Sequence, residues 1–241
     1  NRPEKFNCLS SALIAALDGA IARLEADSSV RVMLVLGAGK NFCTGADLDE
    51  LARKGGGREA LRTYLDSGSR LLRRLERCRL PVVAACQGLS LAGGLEVMMA
   101  CDIVLAAETA RFGDQHARYA LVPGFGGTQR LPRLVGLRRA LELMYSGRWI
   151  AAEEAMSWGL VNFVVPDAEL RDRALAYAAD LAKKSRPGLA AMKRLSRDGL
   201  EGGLDAGLAL EHDTVVDALR SPDVKEGMAA FAARREPVYR Q

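Results

Sequence analysis

Residues 81–96 read PVVAACQGLSLAGGLE, and this stretch decides how the chain folds. It opens with a proline, which ends a preceding helix, and continues over residues 82–86 as a short apolar run typical of a buried strand. Gly93 and Gly94 then allow a tight turn, and apolar residues follow them at helical spacing. The stretch therefore predicts a strand, a glycine turn and a helix.

Strand and helix patterns alternate on both sides of this stretch, which is typical of an α/β fold. Helices are predicted over residues 9–24, 59–79, 168–184 and 188–197, and strands over residues 30–36 and 103–106. The glycine-rich residues 54–58 are predicted to form a mobile loop rather than a domain linker. Because the pattern is almost wholly helical after residue 170, we predict a core over residues 1–170 and a C-terminal helical segment over residues 171–241.

Composition places the chain among ordinary globular proteins. Its 241 residues are 49% hydrophobic, which is enough to bury a large core. The 34 basic residues exceed the 30 acidic ones by only four charges, so we expect no nucleic-acid partner. No apolar run approaches the roughly 20 residues that cross a bilayer, so no membrane partner is expected. Five cysteines without CxxC spacing predict reduced thiols and a cytoplasmic location.

A second glycine turn stands upstream, where residues 41–48 read NFCTGADL. Gly45 permits a sharp bend that aims the Ala46 amide, while Gly93 presents its amide at the start of a helix. Two backbone N–H groups aimed at one point stabilise a developing oxyanion, and we expect them to polarise a thioester carbonyl. Taken alone, either turn also fits an ordinary connection between a strand and a helix.

Further motifs extend this pattern over the whole chain. They are NRPEKFN at 1–7, CDIV at 101–104, ARFG at 110–113, PGFGGTQRL at 123–131, SWGLV at 157–161 and EGMAAF at 226–231. Together with the two glycine turns, in this order and at these separations, they resemble the crotonase family of enoyl-CoA hydratases and isomerases. Chains of that family usually carry one or two strands before the segment that resembles residues 1–7.

The resemblance implies a fold, an assembly and a ligand. The fold is an α/β spiral of ββα units with a helical C-terminal segment that mediates trimerisation. The assembly is a homotrimer or a dimer of trimers. The ligand is an acyl-CoA thioester, which binds as the substrate without a metal or any further cofactor.

The resemblance also implies roles for individual residues. Ala46 and Gly93 supply the amides of the oxyanion hole. Lys5 and Arg235 are candidates for binding the CoA phosphates. The backbone that lies along the CoA is that of Ala46, Asp47, Leu48 and Asp49.

The catalytic carboxylates show one departure from the family. Its hydratases hold a water between two glutamates, and Glu96 stands at the first of these positions. The second position, four residues after Phe112, holds His116. An imidazole, with an ordinary pKa of about 6.5, transfers a proton in either direction, so His116 is our candidate partner of Glu96. A structural role for His116, and an acid or base role for Asp114, stay open.

The resemblance thus predicts a lyase of fatty acid metabolism, an enoyl-CoA hydratase that adds water to a trans-2-enoyl-CoA with Glu96 as its acid and base. The enzymatic alternative is an isomerase, decarboxylase or thioester hydrolase that acts on another acyl-CoA, because one carboxylate can suffice. The alternative from another class is a non-catalytic CoA-binding or RNA-binding protein on the same scaffold. The arginine-rich stretch at residues 70–77 could bind RNA, but the spacing of its arginines also fits the solvated face of an amphipathic helix.

Overall fold

The computed structural model describes residues 1–53 and 57–239, so residues 54–56 of the predicted loop lie outside it. The strands, in chain order, are β1 (Met33–Leu36), β2 (Val82–Cys86), β3 (Leu89–Leu91), β4 (Ile103–Ala107), β5 (Arg111–Gly113), β6 (Ile150–Ala151) and β7 (Phe163–Val165). The predicted strand over residues 30–36 is shorter in the structure and begins at Met33.

Two sheets organise these strands. The first is wholly parallel, in the order β1-β2-β4-β7, and aligns Val83 of β2 with Ile103 of β4. Every residue of β2 is buried, which explains its uninterrupted apolar run, since a parallel strand covered on both faces carries apolar side chains on both. In the second sheet, β3 and β5 are parallel and β6 is antiparallel to β5.

Helices surround the sheets and confirm the predicted α/β class. They are α1 (Ser11–Ala26), α2 (Leu48–Arg53), α3 (Arg58–Arg77), α4 (Gly93–Ala100), α5 (Gly127–Val135), α6 (Leu137–Ser146), α7 (Ala152–Ser157), α8 (Leu170–Ala182), α9 (Arg186–Glu201), α10 (Leu204–Leu219) and α11 (Pro222–Ala232). Short 3₁₀ helices lie at Pro3–Lys5, His116–Tyr119 and Asp167–Glu169. Within the described ranges, no helix is both long enough and apolar enough to cross a membrane.

The start of α9 shows how local chemistry sets a helix boundary. Ser185 caps the helix, because its hydroxyl accepts a hydrogen bond from the Gly188 amide at 3.1 Å. Pro187 therefore stands inside the first turn, where its missing N–H costs no hydrogen bond. We predicted that this proline separates two helices, whereas the helix begins one residue before it.

Helix α8 lies across the parallel sheet, although it falls in the predicted C-terminal segment. It contacts β1, β2 and β4 and buries Leu170 and Ala174 against them. Beyond it, α10 packs on α9 and on α11. The packing of the core thus continues past residue 170, and the division into residues 1–170 and 171–241 stays a prediction.

Candidate active site

The two glycine turns meet in the structure. A Cβ built on Gly93 would lie 3.2 Å from the Gly45 Cα and 3.4 Å from the Ala46 nitrogen. A Cβ built on Gly45, whose φ is +107°, would lie 3.1 Å from the Gly93 nitrogen. Glycine at both positions therefore brings the amides of Ala46 and Gly93 close together.

Pairing on either side of Ala46 fixes the direction of its amide. The Leu9 N–H donates to the Gly45 carbonyl at 2.7 Å, and the Asp47 N–H donates to the Leu9 carbonyl at 3.0 Å. Within the described part of the chain, the amides of Ala46 and Gly93 donate to no other protein group. Two neighbouring donors are thus available to a ligand.

Ala92, directly before Gly93, adopts a strained backbone conformation. Its φ is +48° and its ψ is −119°, a region that residues with a Cβ rarely occupy. The Ala92 N–H donates to the Gly113 carbonyl at 2.9 Å, so the end of β5 holds the turn in place. This contact fixes the direction in which α4 starts, and with it the position of the Gly93 amide.

Helix α4 carries Glu96 into the protein interior, one helical turn after Gly93. Only 1% of Glu96 is exposed, and its Oε1 accepts hydrogen bonds from the amides of Phe125 at 2.9 Å and Gly127 at 2.6 Å. Burial raises the pKa of Glu96 above its ordinary value, although the two amides and the charge of His116 oppose that rise. A buried carboxyl held by one oxygen is suited to proton transfer.

His116 lies beside a second buried carboxyl. Its Nδ1 is 2.9 Å from the Asp114 Oδ1, and 11% of the His116 side chain is exposed. Burial acts to lower the pKa of His116, but the hydrogen bond to Asp114 and the charges of Asp114 and Glu96 outweigh it and raise that pKa overall. Asp114 Oδ2 is buried and has no hydrogen-bond partner among the described residues. His116 thus pairs with Asp114, and the charges of both residues act on the pKa of Glu96.

Lys5 shares a surface with the turn at residues 46–49. Its Nζ is 3.0 Å from the Asp49 Oδ2, and both side chains are exposed. Leu48 is about half exposed on the same turn. A cation beside an accessible backbone segment is consistent with an anionic ligand that lies along the turn.

Asp47 has a structural role within that turn. Its carboxylate is buried, accepts a hydrogen bond from the Glu50 amide at 3.0 Å and pairs with Arg2 at 2.8 Å. The Glu50 amide and the Arg2 charge together lower the pKa of Asp47. The carboxylate is therefore occupied by the cap of α2, and only the backbone of Asp47 remains a candidate for ligand contact.

Arg235 is the predicted site residue that the structure does not bring to this surface. Its guanidinium binds Glu226 of α11 through two hydrogen bonds, at 2.6 Å and 2.9 Å. No contact among the described residues joins Arg235 to Lys5 or to the turn at residues 46–49.

Known proteins are similar to this chain in both sequence and structure. The family model described as enoyl-CoA hydratase/isomerase matches residues 1–241. The chain belongs to that family. The short-chain-enoyl-CoA hydratase of Clostridium acetobutylicum is 37% identical over 237 residues, which cover 98% of this chain and 90% of that protein. The crystal structure of an enoyl-CoA hydratase from Bacillus anthracis matches with a TM-score of 0.94 at 38% identity. The match covers 99% of this chain and 92% of that enzyme's chain. The corresponding enzyme structure from Polaromonas sp. JS666 has a TM-score of 0.96 at 30% identity, over 100% and 94% of the two chains.

Membership of the enoyl-CoA hydratase/isomerase family confirms the resemblance inferred from the motifs. In the part of the chain that is described, no group of three or more His, Cys, Asp or Glu residues is arranged to hold a metal ion. The family members named above are described as hydratases. Whether this chain has the same activity depends on the chemistry of Glu96 and His116.

Sequence patterns did not reveal the groups that hold Glu96. The amides of Phe125 and Gly127 act through the backbone of the turn before α5, and no motif marked them as partners of Glu96. Glu76 is likewise buried in α3, whereas the sequence predicts only an amphipathic helix with a solvated basic face there. The signal that points to it is its position four residues after the buried Leu72, which places an acid on the apolar face of that helix.

Proposed function

We propose that this protein is an enoyl-CoA hydratase, a lyase that adds water to the double bond of a trans-2-enoyl-CoA. The observation that carries the proposal is the position of Glu96, one helical turn after Gly93, whose amide lies close to that of Ala46. The charges of His116 and Asp114 act on the same carboxyl. Hydration needs a proton acceptor for water, a proton donor for the α-carbon and a site for the negative charge that develops between these steps.

Ala46 and Gly93 are proposed to hold the thioester oxygen. As water attacks the β-carbon, the electrons of the double bond move through the α-carbon toward the thioester, and negative charge builds on its oxygen. Two fixed amides stabilise this enolate without reorganising during the reaction. Loss of one such donor typically costs roughly 10²–10³ in rate.

Glu96 and His116 are proposed to share the proton transfers. Glu96 in its ionised form accepts a proton from water while the water oxygen bonds to the β-carbon. His116 in its protonated form gives a proton to the α-carbon, and the proton on Glu96 then returns to His116 through solvent. The raised pKa of Glu96 makes it a stronger base, and the raised pKa of His116 keeps the imidazole protonated to a higher pH.

Asp114 is proposed to orient His116. When Nδ1–H donates to the Asp114 carboxylate, the imidazole is held in one orientation and Nε2 is left to carry the transferred proton. This arrangement gives Asp114 a supporting role instead of the separate acid or base role that the sequence left open.

We further propose that the CoA lies along the backbone of residues 46–49, with Lys5 on one of its phosphates. Lys5 would exchange its exposed partner Asp49 for the phosphate. The five free cysteines, four of them buried, support a reducing, cytoplasmic location. A homotrimer or a dimer of trimers is proposed as the assembly.

The test is a panel of trans-2-enoyl-CoAs of increasing chain length, followed by loss of the absorbance of the conjugated thioester. The natural chain is expected to hydrate at least one of them, and Glu96→Gln is expected to lower kcat by at least about 10²-fold, because the amide keeps the shape but cannot accept a proton. Binding of the acyl-CoA should survive in that variant.

Glu153→Gln on the exposed surface of α7 is the matched control and should leave turnover unchanged. Activity of Glu96→Gln within about threefold of the natural chain would remove Glu96 from the mechanism. Release of free CoA thiol without loss of the double bond would instead assign the chain to thioester hydrolysis.

A further inference from the structure

Arg130 lies on the first turn of α5 and joins two parts of the molecule. Its Nε donates to the Glu76 Oε1 at 2.6 Å, and its Nη1 donates to the Phe125 carbonyl at 2.5 Å. A Cβ built on Gly126 would lie 2.3 Å from the Arg130 Nη1, so the guanidinium covers the turn at that residue. One side chain therefore connects α3 with the turn that precedes α5.

That turn is also the one that holds Glu96. Phe125 and Gly127, on either side of Gly126, both donate their amides to the same carboxylate oxygen. The carbonyl of Phe125 thus bonds to Arg130 while its amide bonds to Glu96. A shift of this turn would move both donors away from the carboxylate.

Glu76 keeps Arg130 in place from the interior. The Glu76 side chain is 6% exposed, and two further guanidinium groups approach it, Arg73 at 3.0 Å and Arg197 at 3.6 Å. Burial acts to raise the pKa of Glu76, but the three neighbouring cations outweigh it and lower that pKa. Glu76 is therefore a fixed anion that orients the planar fork of Arg130.

We propose that Arg130, oriented by Glu76, is a positioning residue that keeps the amides of Phe125 and Gly127 on the Glu96 carboxylate. Arg130 acts through the backbone of the turn and does not itself contact the reacting atoms. The kinetic part of this inference rests on the proposed hydratase function, whereas the structural part concerns only the environment of Glu96.

The two amides stabilise the ionised form of Glu96, so loosening them has a defined consequence. With weaker hydrogen bonds, the carboxyl of Glu96 is expected to titrate at higher pH than in the natural chain. Among the residues that the structure describes, the other charged groups that act on Glu96 are His116 and Asp114, and neither bonds to Arg130. A change in the pKa of Glu96 in an Arg130 variant would therefore indicate that the turn at residues 125–127 has moved.

The experiment compares Arg130→Met with Arg133→Met by carboxyl ¹³C NMR of glutamate-labelled protein, in which the Glu96 signal is identified by its loss in Glu96→Gln. Arg133 is exposed on the same helix, and among the described residues its side chain bonds only to Gln129, which makes it a matched control. In Arg130→Met, Glu76 retains Arg73 and Arg197, so its charge stays compensated. We expect the Glu96 titration to move to higher pH in Arg130→Met alone.

The kinetic readout should separate positioning from binding. A misplacement of about 1 Å at a reacting group costs roughly 10²-fold, so kcat of Arg130→Met should fall by up to about that factor while KM changes little. The kcat of Arg130→Lys should lie between that of the natural chain and that of Arg130→Met. The ammonium of lysine retains the charge but cannot donate to Glu76 and Phe125 in the same fixed geometry. Should Arg130→Met fail to fold, Arg130→Lys takes its place in both measurements.

Identical Glu96 titrations in the Arg130 and Arg133 variants would overturn the proposal. If the Glu96 titration shifts in Arg130→Met but the natural chain hydrates no enoyl-CoA, the positioning role stands. Only the hydratase assignment is then contradicted. The two ideas thus fail separately.

Discussion

His116 is held against Asp114 by a local feature of the backbone. Gln115, between them, has a φ of +63°, and this left-handed residue turns the chain so that the imidazole returns to the Asp114 carboxylate. The motif predicted which residue would replace the second glutamate. It did not predict the pair, because nothing in the motif specifies the left-handed backbone of Gln115.

The pH dependence of catalysis tests the role of His116. Activity is expected to fall at low pH as Glu96 gains a proton and to fall at high pH as His116 loses one, each above the ordinary pKa of its group. His116→Ala should lower kcat by about 10²–10⁴-fold and abolish the alkaline limb, since its acid is gone. Steady-state hydration of the preferred enoyl-CoA across a pH series measures both effects.

His212→Ala is the control, because that histidine is exposed on α10. His116→Glu restores the two-glutamate arrangement and should keep more hydration activity than His116→Ala. An unchanged kcat and pH profile in His116→Ala would leave His116 with a structural role only.

At the scale of elements, the paired turns show how far the sequence determines the site. Glycines in NFCTGADL and LAGGLE predicted two turns, β2 was predicted to the residue, and α4 begins at Gly93, near which a helix was predicted to open. The meeting of the turns was predicted, but the contacts that produce it were not. It depends on pairing of Leu9 with Ala46 and of Cys43 with Ser90, contacts between segments that lie far apart in the chain. The positive φ of Ala92 was not predicted either, because an alanine ordinarily avoids this conformation.

Gly93→Val tests the meeting of the two turns. The first added carbon would lie 3.3 Å from the Leu9 Cδ1 and 3.4 Å from the Ala46 nitrogen, so a branched side chain would occupy the space between the amides. We expect turnover to fall by about 10²-fold or more, as for loss of an oxyanion donor. Initial rates and circular dichroism measured together separate loss of function from loss of fold.

Gly19→Val on α1 makes the same substitution where a Cβ meets only the end of Arg23, at 3.5 Å. It should cost some helix stability and leave the rate per folded molecule unchanged. Normal kinetics in Gly93→Val would place the thioester oxygen elsewhere.

At the scale of the whole molecule, ion pairs tie the C-terminal helices to the site. Arg197 of α9 approaches Glu76 and also donates to Asp102 at 2.7 Å, at the end of the helix that carries Glu96. Lys193 of the same helix lies 2.7 Å from the other Asp102 oxygen. The sequence predicted the helical character of this region, but charge partners more than 90 positions apart along the chain could not be assigned from it.

The same helices expose an apolar surface. Leu204, Leu208, Val215 and Leu219 recur at helical spacing along α10, and all are exposed. Neighbouring α9 and α11 add Leu200, which is 86% exposed, and Phe231, which is 81% exposed. Exposed apolar side chains on neighbouring helices are typical of protein–protein contact, and they support the proposed homotrimer or dimer of trimers.

The double variant Leu204→Glu and Leu219→Glu tests that assembly. Light scattering coupled to size exclusion should give three or six times the mass of one chain for the natural protein, and a smaller species for the variant, because two buried carboxylates would oppose the contact. Thermal unfolding of the variant should begin at lower temperature, since association stabilises the folded chain by mass action. Glu211→Gln, on the same helix, alters a charge without touching the apolar positions and should keep the natural mass. A natural protein that runs as a single chain at micromolar concentration, or a double variant with unchanged mass, would show that α10 is not the surface that joins the copies.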